Sequence, residues 1–449
     1  MHAKVVYAAP LPGFSPVSDQ PIIACFDGGH LSSNGGLLVL REVERRIDVA
    51  NHVAGCIVDP RMPELVKHQL DEIIRFRMFM IAGGYEDGND ADALRHDAMF
   101  KLAMGRLPED APLCSQPTIS RLENLPDKRT LVRMSYAMVD FYCASFRNVP
   151  SRIVLDIDDA FDAAHGGQEM RVFNAHYDEY GFQPILVFDG DGRIIGAVLR
   201  PAQRPSGREI VTLLRRLVAR IRGHWPRVDI LLRGDSHYCA PEVLRFCRAN
   251  RLDFILGVAT TTTLRRHMGK LEERTAAKFA ATGAPDKVRR FKEFYDGAAS
   301  WDRVERIIAR VEAGPEGVDT RFIVTNLARG SGRTIYQNGY CLRGRAENHI
   351  KSFKTHLAAD RTSCHTKCAN QMRLFLHIGA YWMMWSLRSV MPRRSSWRVM
   401  QFNTLRLRLI NLAVRVTDLK QQIKLHLPTN TPDQAIFALV LGRIPQLTI

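Results

Sequence analysis

The chain has 449 residues, a length that predicts roughly two to three domains. Hydrophobic residues make up 46% of it and charged residues 24%, which excludes wholesale disorder and a small disulfide-stabilised fold. The formal net charge is +16, and from Tyr340 onward 17 basic residues accompany only four acidic ones. Such a concentration of cations favours a polyanionic partner, so a DNA-binding or RNA-binding protein is the first class to consider.

Cysteine usage and hydropathy indicate the compartment. The nine cysteines are scattered without the spacing of a disulfide framework, and the first residues contain no long apolar segment. The most apolar run, residues 374–387, is too short to span a bilayer and carries His377, so it predicts a buried helix. We therefore expect a reduced, cytoplasmic protein that does not enter a membrane.

The first third of the chain is predicted to be mainly helical. Residues 21–26 favour a short strand, a helix is expected from about Asn34, and residues 62–147 indicate a run of helices. Ser115 is a candidate cap for a helix with Pro117 in its first turn. A helix, a short loop and this second helix, which carries Arg121, suit a helix-turn-helix that binds DNA. A plain helical bundle fits the same spacing equally well.

From residue 150 the pattern changes to strands. The predicted order is three antiparallel strands followed by two α/β crossovers, with strands at 152–158, 184–188, 193–199, 228–232 and 253–258 and helices at 207–221 and 241–250. Residues 259–320 interrupt this order with a polar helix and alternating segments. After an apolar strand at 322–324 the chain is expected to be helical and basic to its end.

Three acidic residues stand where this topology would bring them together. Asp158 closes the first strand, Asp235 follows the fourth, and Glu347 lies on a helix after the sheet. Carboxylates with open coordination positions suit Mg²⁺ or Mn²⁺, and two such ions support phosphodiester cleavage. Asp156 shares a strand face with Asp158, so it stays an alternative for the first acid.

The helix that carries Glu347 combines it with cationic side chains. In a continuous α-helix Tyr340, Arg343, Glu347 and Lys354 fall within an arc of about 60°. One face then offers a carboxylate for a metal ion beside an Arg and a Lys that bind phosphate oxygens.

This Tyr-x2-Arg-x3-Glu-x6-Lys pattern resembles the signature of bacterial cut-and-paste DDE transposases. Over roughly residues 20–440 the chain resembles the insertion-sequence family numbered thirteen-eighty. The resemblance rests on Phe26-Asp-Gly-Gly, Gly35-Gly-Leu-Leu, Gly84-Tyr-Glu-Asp-Gly-Asn-Asp-Ala-Asp, Pro117-Thr-Ile-Ser-Arg-Leu-Glu-Asn, Leu155-Asp-Ile-Asp-Asp and Leu199-Arg-Pro. One departure is Ala160, where relatives have Thr after the two acids.

The resemblance implies a function in full. It implies an RNase H-like catalytic core, Mg²⁺ or Mn²⁺ dependence, and cleavage and strand transfer at the terminal inverted repeats of a mobile element. A homodimer would hold two double-stranded DNA ends in synapsis, in the bacterial cytoplasm and associated with the nucleoid. Asp158, Asp235 and Glu347 would be the catalytic metal ligands; Arg343 and Lys354 would contact phosphates, and Tyr340 would orient the DNA backbone.

The expected fold class is α/β, a mixed-sheet catalytic core interrupted by a β-rich insertion, with helical regions at both ends. The expected regions are a helical DNA-binding region (1–148), the two parts of the core (149–258 and 321–390, the second with the signature helix), the insertion (259–320) and a basic helical tail (391–449).

Other interpretations remain beside this one. Trp301 in the insertion resembles an aromatic residue that stacks on a flipped base, although packing is the commoner role of a single Trp. Cys364, Cys368 and His377 have no standard zinc spacing, so a helix-core role is favoured for them. The rival functions are an inactive, domesticated DNA-binding relative and another RNase H-like nuclease.

Overall fold

One large mixed sheet forms the centre of the protein. The computed structural model describes residues 13–282 and 287–447. The strands are β1 (His30–Ser32), β2 (Arg152–Asp159), β3 (Asp162–Ala163), β4 (Val172–Asn174), β5 (Glu179–Phe182), β6 (Ile185–Asp189), β7 (Ile194–Val198), β8 (Asp229–Gly234), β9 (Asp253–Val258), β10 (Val288–Asp296), β11 (Glu305–Gly314), β12 (Gly317–Thr325), β13 (Val414–Leu419) and β14 (Gln422–His426). Eight of them form the central sheet, in the order β10-β11-β12-β9-β8-β2-β6-β7.

Helices precede, connect and follow these strands. The α-helices are α1 (Leu37–Ile47), α2 (Val49–Ala54), α3 (Leu70–Gly83), α4 (Ala91–Leu94), α5 (Ala98–Ala103), α6 (Gln116–Glu123), α7 (Lys128–Ala144), α8 (Gly207–His224), α9 (Pro241–Ala249), α10 (Thr262–Arg266), α11 (Gly269–Thr282), α12 (Gly332–Thr334), α13 (Gly344–Lys351), α14 (Lys367–Ser389), α15 (Phe402–Leu409) and α16 (Gln434–Arg443). The tighter and wider helical turns that join or extend them are 3₁₀ at Pro63–Leu65, Gly88–Asp90, Cys341–Arg343, Ser396–Val399 and Ile444–Gln446, and π at Ile335–Tyr340 and Ser352–His356.

The middle of the central sheet follows the predicted order. Strand β2 pairs antiparallel with β6, and β6 pairs antiparallel with β7. On its other side β2 pairs parallel with β8, which pairs parallel with β9. Helix α8 connects β7 to β8, and a capping box of Ser206 and Glu209 fixes its start. Helix α9 connects β8 to β9, so the predicted mixed α/β class is confirmed.

The segment 259–320 extends this sheet. It begins with α10 and α11 and continues into the antiparallel strands β10 and β11. Strand β12 pairs with β11 and then with β9, which joins the segment to the core. The predicted boundary between residues 320 and 321 falls inside β12.

Two local predictions were wrong. The tail 391–449 is not wholly helical, because β13 and β14 form a hairpin that pairs with β1. Val414 and Val416 are buried, and Arg415 between them is exposed, which is the alternation typical of a strand. The prediction was based on the basic composition of the tail and did not use this alternation. Residues 21–26 form no strand; the short strand β1 lies just after them.

Helix α14 is the core of the helical layer. The apolar run 374–387 lies within it and is almost wholly buried, as predicted. Helices α1, α3 and α7 from the first third of the chain, together with strand β7, pack against it. The first third and the last third therefore share one hydrophobic core with the sheet. Over residues 13–282 and 287–447, no helix has the length and apolar character needed to cross a membrane.

Candidate active site

Two predicted acids lie side by side at the edge where parallel strands end. Asp158 is near the end of β2, and Asp235 directly follows β8. The parallel register ends by pairing Asp156 with Arg233, and continuing it by two residues sets Asp158 level with Asp235, the residue after β8. Side chains two residues apart share a face of a strand, so both carboxylates project from the same face of the sheet.

Asp156 already has a buried partner. Its two carboxylate oxygens accept hydrogen bonds from Nε and Nη2 of Arg233, each at 2.7 Å, and both side chains are almost fully buried. Arg233 Nη1 also donates to the carbonyl of Gly339 in the helical segment above the sheet. The pair thus uses both oxygens of Asp156 and ties β2 and β8 to that segment.

Asp158 is paired with the signature helix instead. Arg343 Nη1 donates to Asp158 Oδ2 at 2.6 Å. Burial raises the pKa of Asp158 to about 6; the Arg343 guanidinium opposes that shift, and the charge of Asp235 adds to it. Repulsion from the charge of Asp235 therefore opposes ionisation of Asp158.

A third acid next to Asp158 completes the polar cluster. Asp159 accepts hydrogen bonds from the Gln183 amide and from the hydroxyl of Tyr238. Burial raises its pKa, while His237, whose Nδ1 lies 3.6 Å from Asp159 Oδ1, opposes the shift. The same imidazole nitrogen is 3.9 Å from Asp235 Oδ2, so His237 lies between two of the acids.

The signature helix is continuous in space but not regular. Helical turns of π, 3₁₀, α and again π type follow one another from residue 335 to residue 356. Tyr340 belongs to the first of these and packs against Tyr336, and the Arg343 guanidinium lies 5.9 Å from the Tyr340 ring centre. A Cβ on Gly257 would meet the Tyr340 hydroxyl at 2.7 Å, so the glycine at this point of β9 makes room for the ring beside Asp235.

Glu347 and Lys354 lie in different surroundings from one another. The Glu347 side chain is 69% exposed, and its Oε1 lies 3.9 Å from Arg343 Nη2, so Arg343 stands between Glu347 and Asp158. Lys354 donates to the carbonyl of Phe161 and lies 3.7 Å from the buried carboxylate of Asp162. The changes of helical winding separate side chains that a regular α-helix would align on one face.

The acids fit a divalent cation in part. Among the residues that the structure describes, no three His, Cys, Asp or Glu side chains are grouped closely enough to hold a metal ion. Asp158 and Asp235 nevertheless supply hard oxygen ligands whose mutual repulsion a cation would relieve. Glu347 is exposed and adjacent, so a change of its side-chain position would be required to complete a set of three.

The remaining predicted residues lie away from this cluster. Arg121 is exposed on α6, which begins at Gln116 after the cap residue Ser115. Trp301 is half-buried in the turn between β10 and β11 and packs against apolar residues of that hairpin. His377 is buried in α14, where Nδ1 is 2.8 Å from the carbonyl of Arg373.

Four residues of the cluster were not predicted from the sequence. Asp159 follows the predicted acid Asp158, and His237 lies two residues after the predicted acid Asp235. Their proximity to these acids in the sequence could have indicated both. Gln183 and Arg233 gave no local signal, because their roles arise from pairing between strands distant in sequence.

The fold and the site together define an α/β protein with paired carboxylates at parallel strand ends beneath a helix that contributes Arg and Tyr side chains. Residues 14–449 match the family model described as transposase DDE domain group 1, and the chain belongs to that family. This confirms the resemblance to DDE transposases; the family number thirteen-eighty and the bacterial origin stay predictions. No curated protein gives a significant match. Among solved structures, the chain is similar to the piggyBac transposase synaptic complex with hairpin DNA, a cryo-EM structure, at 9% identity over 90% of this chain and 89% of that one, with a TM-score of 0.38.

Proposed function

We propose that this protein is a DNA transposase that binds the terminal inverted repeats of a bacterial insertion sequence, cleaves the DNA there and transfers the freed ends to a target. Membership of a transposase family supports the general class. The substrate ends, the reaction steps and the cytoplasmic, nucleoid-associated location are our inference.

The observation that carries this proposal is the register of Asp158 and Asp235. The two carboxylates stand level at the ends of neighbouring parallel strands, and Arg343 from the signature helix lies over them. The strand order β7-β6-β2-β8-β9, antiparallel up to β2 and parallel beyond it, supports an RNase H-like core. Asp158 is the preferred first acid, since both oxygens of Asp156 bind Arg233.

Asp158, Asp235 and Glu347 would hold Mg²⁺, or Mn²⁺ in its place. A bound divalent ion activates water and stabilises the leaving oxygen of a phosphodiester. Arg343 would balance the charge of Asp158 before DNA binds and would contact a phosphate afterwards. Tyr340 would orient the DNA backbone beside Asp235. Lys354, which donates a hydrogen bond to the Phe161 carbonyl and forms an ion pair with Asp162, would approach a phosphate from the same helix.

DNA would contact further parts of the molecule. Arg121 on α6 is our candidate for reading the terminal repeat, and Trp301 for stacking on an unpaired base. Arg393 and Arg394 are exposed and would bind phosphates without sequence preference. A homodimer would hold the two ends together.

The test is a cleavage assay on a linear duplex that carries the element's own ends, with Mg²⁺ and the purified full chain. We expect strand-specific nicks at the ends, and their loss in Asp235→Asn with binding to the ends retained. Asp229→Asn is the matched control, because Asp229 is exposed at the opposite end of the same strand. Equal nicking by Asp235→Asn and the unchanged protein would overturn the site assignment.

The alternative is an inactive DNA-binding relative, and the separation of Glu347 from Asp158 by Arg343 is the observation in its favour. It predicts tight, specific binding to the ends with no nick in Mg²⁺ or Mn²⁺. The same assay distinguishes the two functions.

A further inference from the structure

A large apolar cavity lies along β7, the edge strand of the central sheet. Its volume is about 620 Å³, within the range of pockets that hold whole ligands. Helices α7, α8 and α14 surround it, and the edge strand β7 forms its floor. The buried apolar side chains that line it include Leu131, Val139, Ile195, Leu199, Leu217 and Phe375.

The polar groups of the floor already have partners. The side-chain amide of Gln371 donates to the carbonyl of Ala197 at 3.0 Å and accepts from the backbone N–H of Leu199 at 2.8 Å. The amide thus takes the place that another strand would occupy along this part of β7. What the cavity offers a ligand is therefore mainly apolar contact.

The rim of the cavity is cationic. Lys128, Arg208 and Arg216 border it, are exposed, and form no salt bridge with any residue of 13–282 or 287–447. Two further rim cations are paired, Arg200 with Glu209 and Lys367 with Glu169. An occupant that matches this rim has apolar side chains and acidic residues, and lacks cations of its own.

Within the described residues, the segment that precedes β1 has that composition. Residues 13–29, which we call the N-terminal arm, contain two acids, Asp19 and Asp27, and no Lys, Arg or His. Their apolar side chains face solvent: Ile23 is 74% exposed and Phe26 is 76% exposed. Exposed apolar clusters of this kind commonly mark contact surfaces.

The arm nevertheless has local structure. Val17 and Gln20 exchange two backbone hydrogen bonds of 3.0 Å, with Ser18 and Asp19 at φ of 48° and 65° between them. Positive φ at two successive non-glycine residues is unfavourable, so the turn needs compensating contacts. Within the single chain the apolar residues beside the turn, Phe14 and Val17, remain exposed.

We propose that the N-terminal arm of one copy docks in the apolar cavity of a second copy, which forms a homodimer without DNA. Each copy has one arm and one cavity, so a reciprocal exchange closes with two-fold symmetry and leaves neither unused. The acids of the arm would meet the unpaired cations of the rim, and its Ile and Phe side chains would fill the cavity. This contact would hold together the homodimer of the function proposed above, but its test requires no DNA and no catalysis, so either proposal can fail without the other.

Two native cysteines provide the probe. Cys25 is exposed in the arm, and Cys368 lines the cavity. A short bismaleimide added to the DNA-free full chain is expected to give a covalent dimer whose linked peptides contain Cys25 and Cys368. Cys25→Ser and Cys368→Ser should each abolish this link, whereas Cys341→Ser, which removes an exposed cysteine elsewhere, should retain it.

Mixing the two variants tests exchange between copies. A Cys25→Ser copy supplies only the cavity thiol and a Cys368→Ser copy only the arm thiol, so the mixture is expected to regain the covalent dimer. A link found only within single chains, or no link between these peptides, would overturn the proposal.

Non-covalent association gives a second readout by sedimentation. Phe26→Asp and Arg216→Glu are each expected to raise the dimer dissociation constant at least tenfold. Val58→Asp and Arg215→Glu are the matched controls, since Val58 is exposed outside the arm and Arg215 is exposed beside Arg216 but does not line the cavity. Equal dissociation constants in all four variants would contradict docking of the arm.

Discussion

Asp156 and Asp158 lie two residues apart on β2, and their partners give them different roles. Asp156 forms a buried bidentate pair with Arg233, while Asp158 accepts a hydrogen bond from Nη1 of Arg343. The sequence spacing predicted that both would share a face, which the strand geometry explains. The sequence spacing did not distinguish the two acids, because the partner of Asp156 lies on another strand and depends on how β2 and β8 pair.

The different partners predict different defects. Asp156→Asn leaves the buried Arg233 without a charged partner, so the free energy of unfolding should fall by roughly 3 kcal/mol. Asp158→Asn should abolish end cleavage and reduce the free energy of unfolding much less. Urea unfolding of both variants, with the cleavage assay beside it, checks the pair. A larger loss of stability in Asp158→Asn would reverse the assignment.

His377 provides a pH-dependent prediction. Complete burial, together with the charges of Arg77 and Arg373, lowers its pKa from 6.5 to about 3. Below pH 6.5 the unfolded chain therefore takes up a proton that the folded chain excludes. The free energy of unfolding is unaffected by this group above pH 6.5 and decreases as the pH falls below that value. The loss amounts to about 1.4 kcal/mol per pH unit.

His377→Leu removes that proton from the unfolded chain. Between pH 6.5 and 5 the unchanged protein should lose about 2 kcal/mol more free energy of unfolding than the variant. Urea unfolding curves at the two pH values measure the difference. Identical losses in the two proteins would mean that another group causes the acid sensitivity.

At the scale of elements, short apolar runs bounded by turn residues predicted most of the central strands, since β2, β6, β7, β8 and β9 each contain several β-branched or other apolar residues. The strands that were missed are short or mixed with charge. Strand β1 has three residues, and β14 is mostly exposed. Both strands are stabilised by pairing with β13, and a local sequence pattern does not predict such pairing.

The cations of the tail divide into two kinds. Arg406 and Arg408 are held internally, Arg406 by the carbonyls of Ala82 and His356 and Arg408 by Asp433. Arg393 and Arg394 are exposed and have no salt bridge with the residues that the structure describes. The excess of charge in the sequence could not reveal this division, since it depends on tertiary contacts.

Of these four arginines, only the exposed Arg393 and Arg394 should contribute to the salt dependence of DNA affinity. Arg393→Ala with Arg394→Ala is expected to reduce the log–log slope of affinity against salt by up to about 1.8, at about 0.9 per phosphate contact. The preference for the element's ends over random duplex should persist, because phosphate contacts carry no sequence information. Fluorescence anisotropy at several salt concentrations measures the slope. An unchanged slope in a fully folded variant would exclude these two residues from the DNA interface.

At the scale of the whole molecule, a buried charge network joins parts of the chain that the sequence separated. Glu123 of α6 has its Oε1 at 3.6 Å from Nε of both Arg77 in α3 and Arg373 in α14. Glu123 and Arg77 belong to the predicted region 1–148, and Arg373 belongs to the second part of the predicted core, 321–390. Composition changes near residue 150 indicated a change of secondary structure, but the packing of α1, α3 and α7 on α14 makes one shared core.

Loss of Glu123 should therefore destabilise the molecule as one unit. Glu123→Ala leaves two buried guanidinium groups without their shared carboxylate, and breaking such a network costs about 3–5 kcal/mol. Because the network lies within a common core, urea unfolding followed by tryptophan fluorescence and by far-UV circular dichroism should shift together, as one cooperative transition. Glu64→Ala, at an exposed position, is the control and should leave the midpoint unchanged. If the two signals separate, with one part unfolding at lower urea concentration, the first third is an independent domain and the predicted division of the chain near residue 148 is correct.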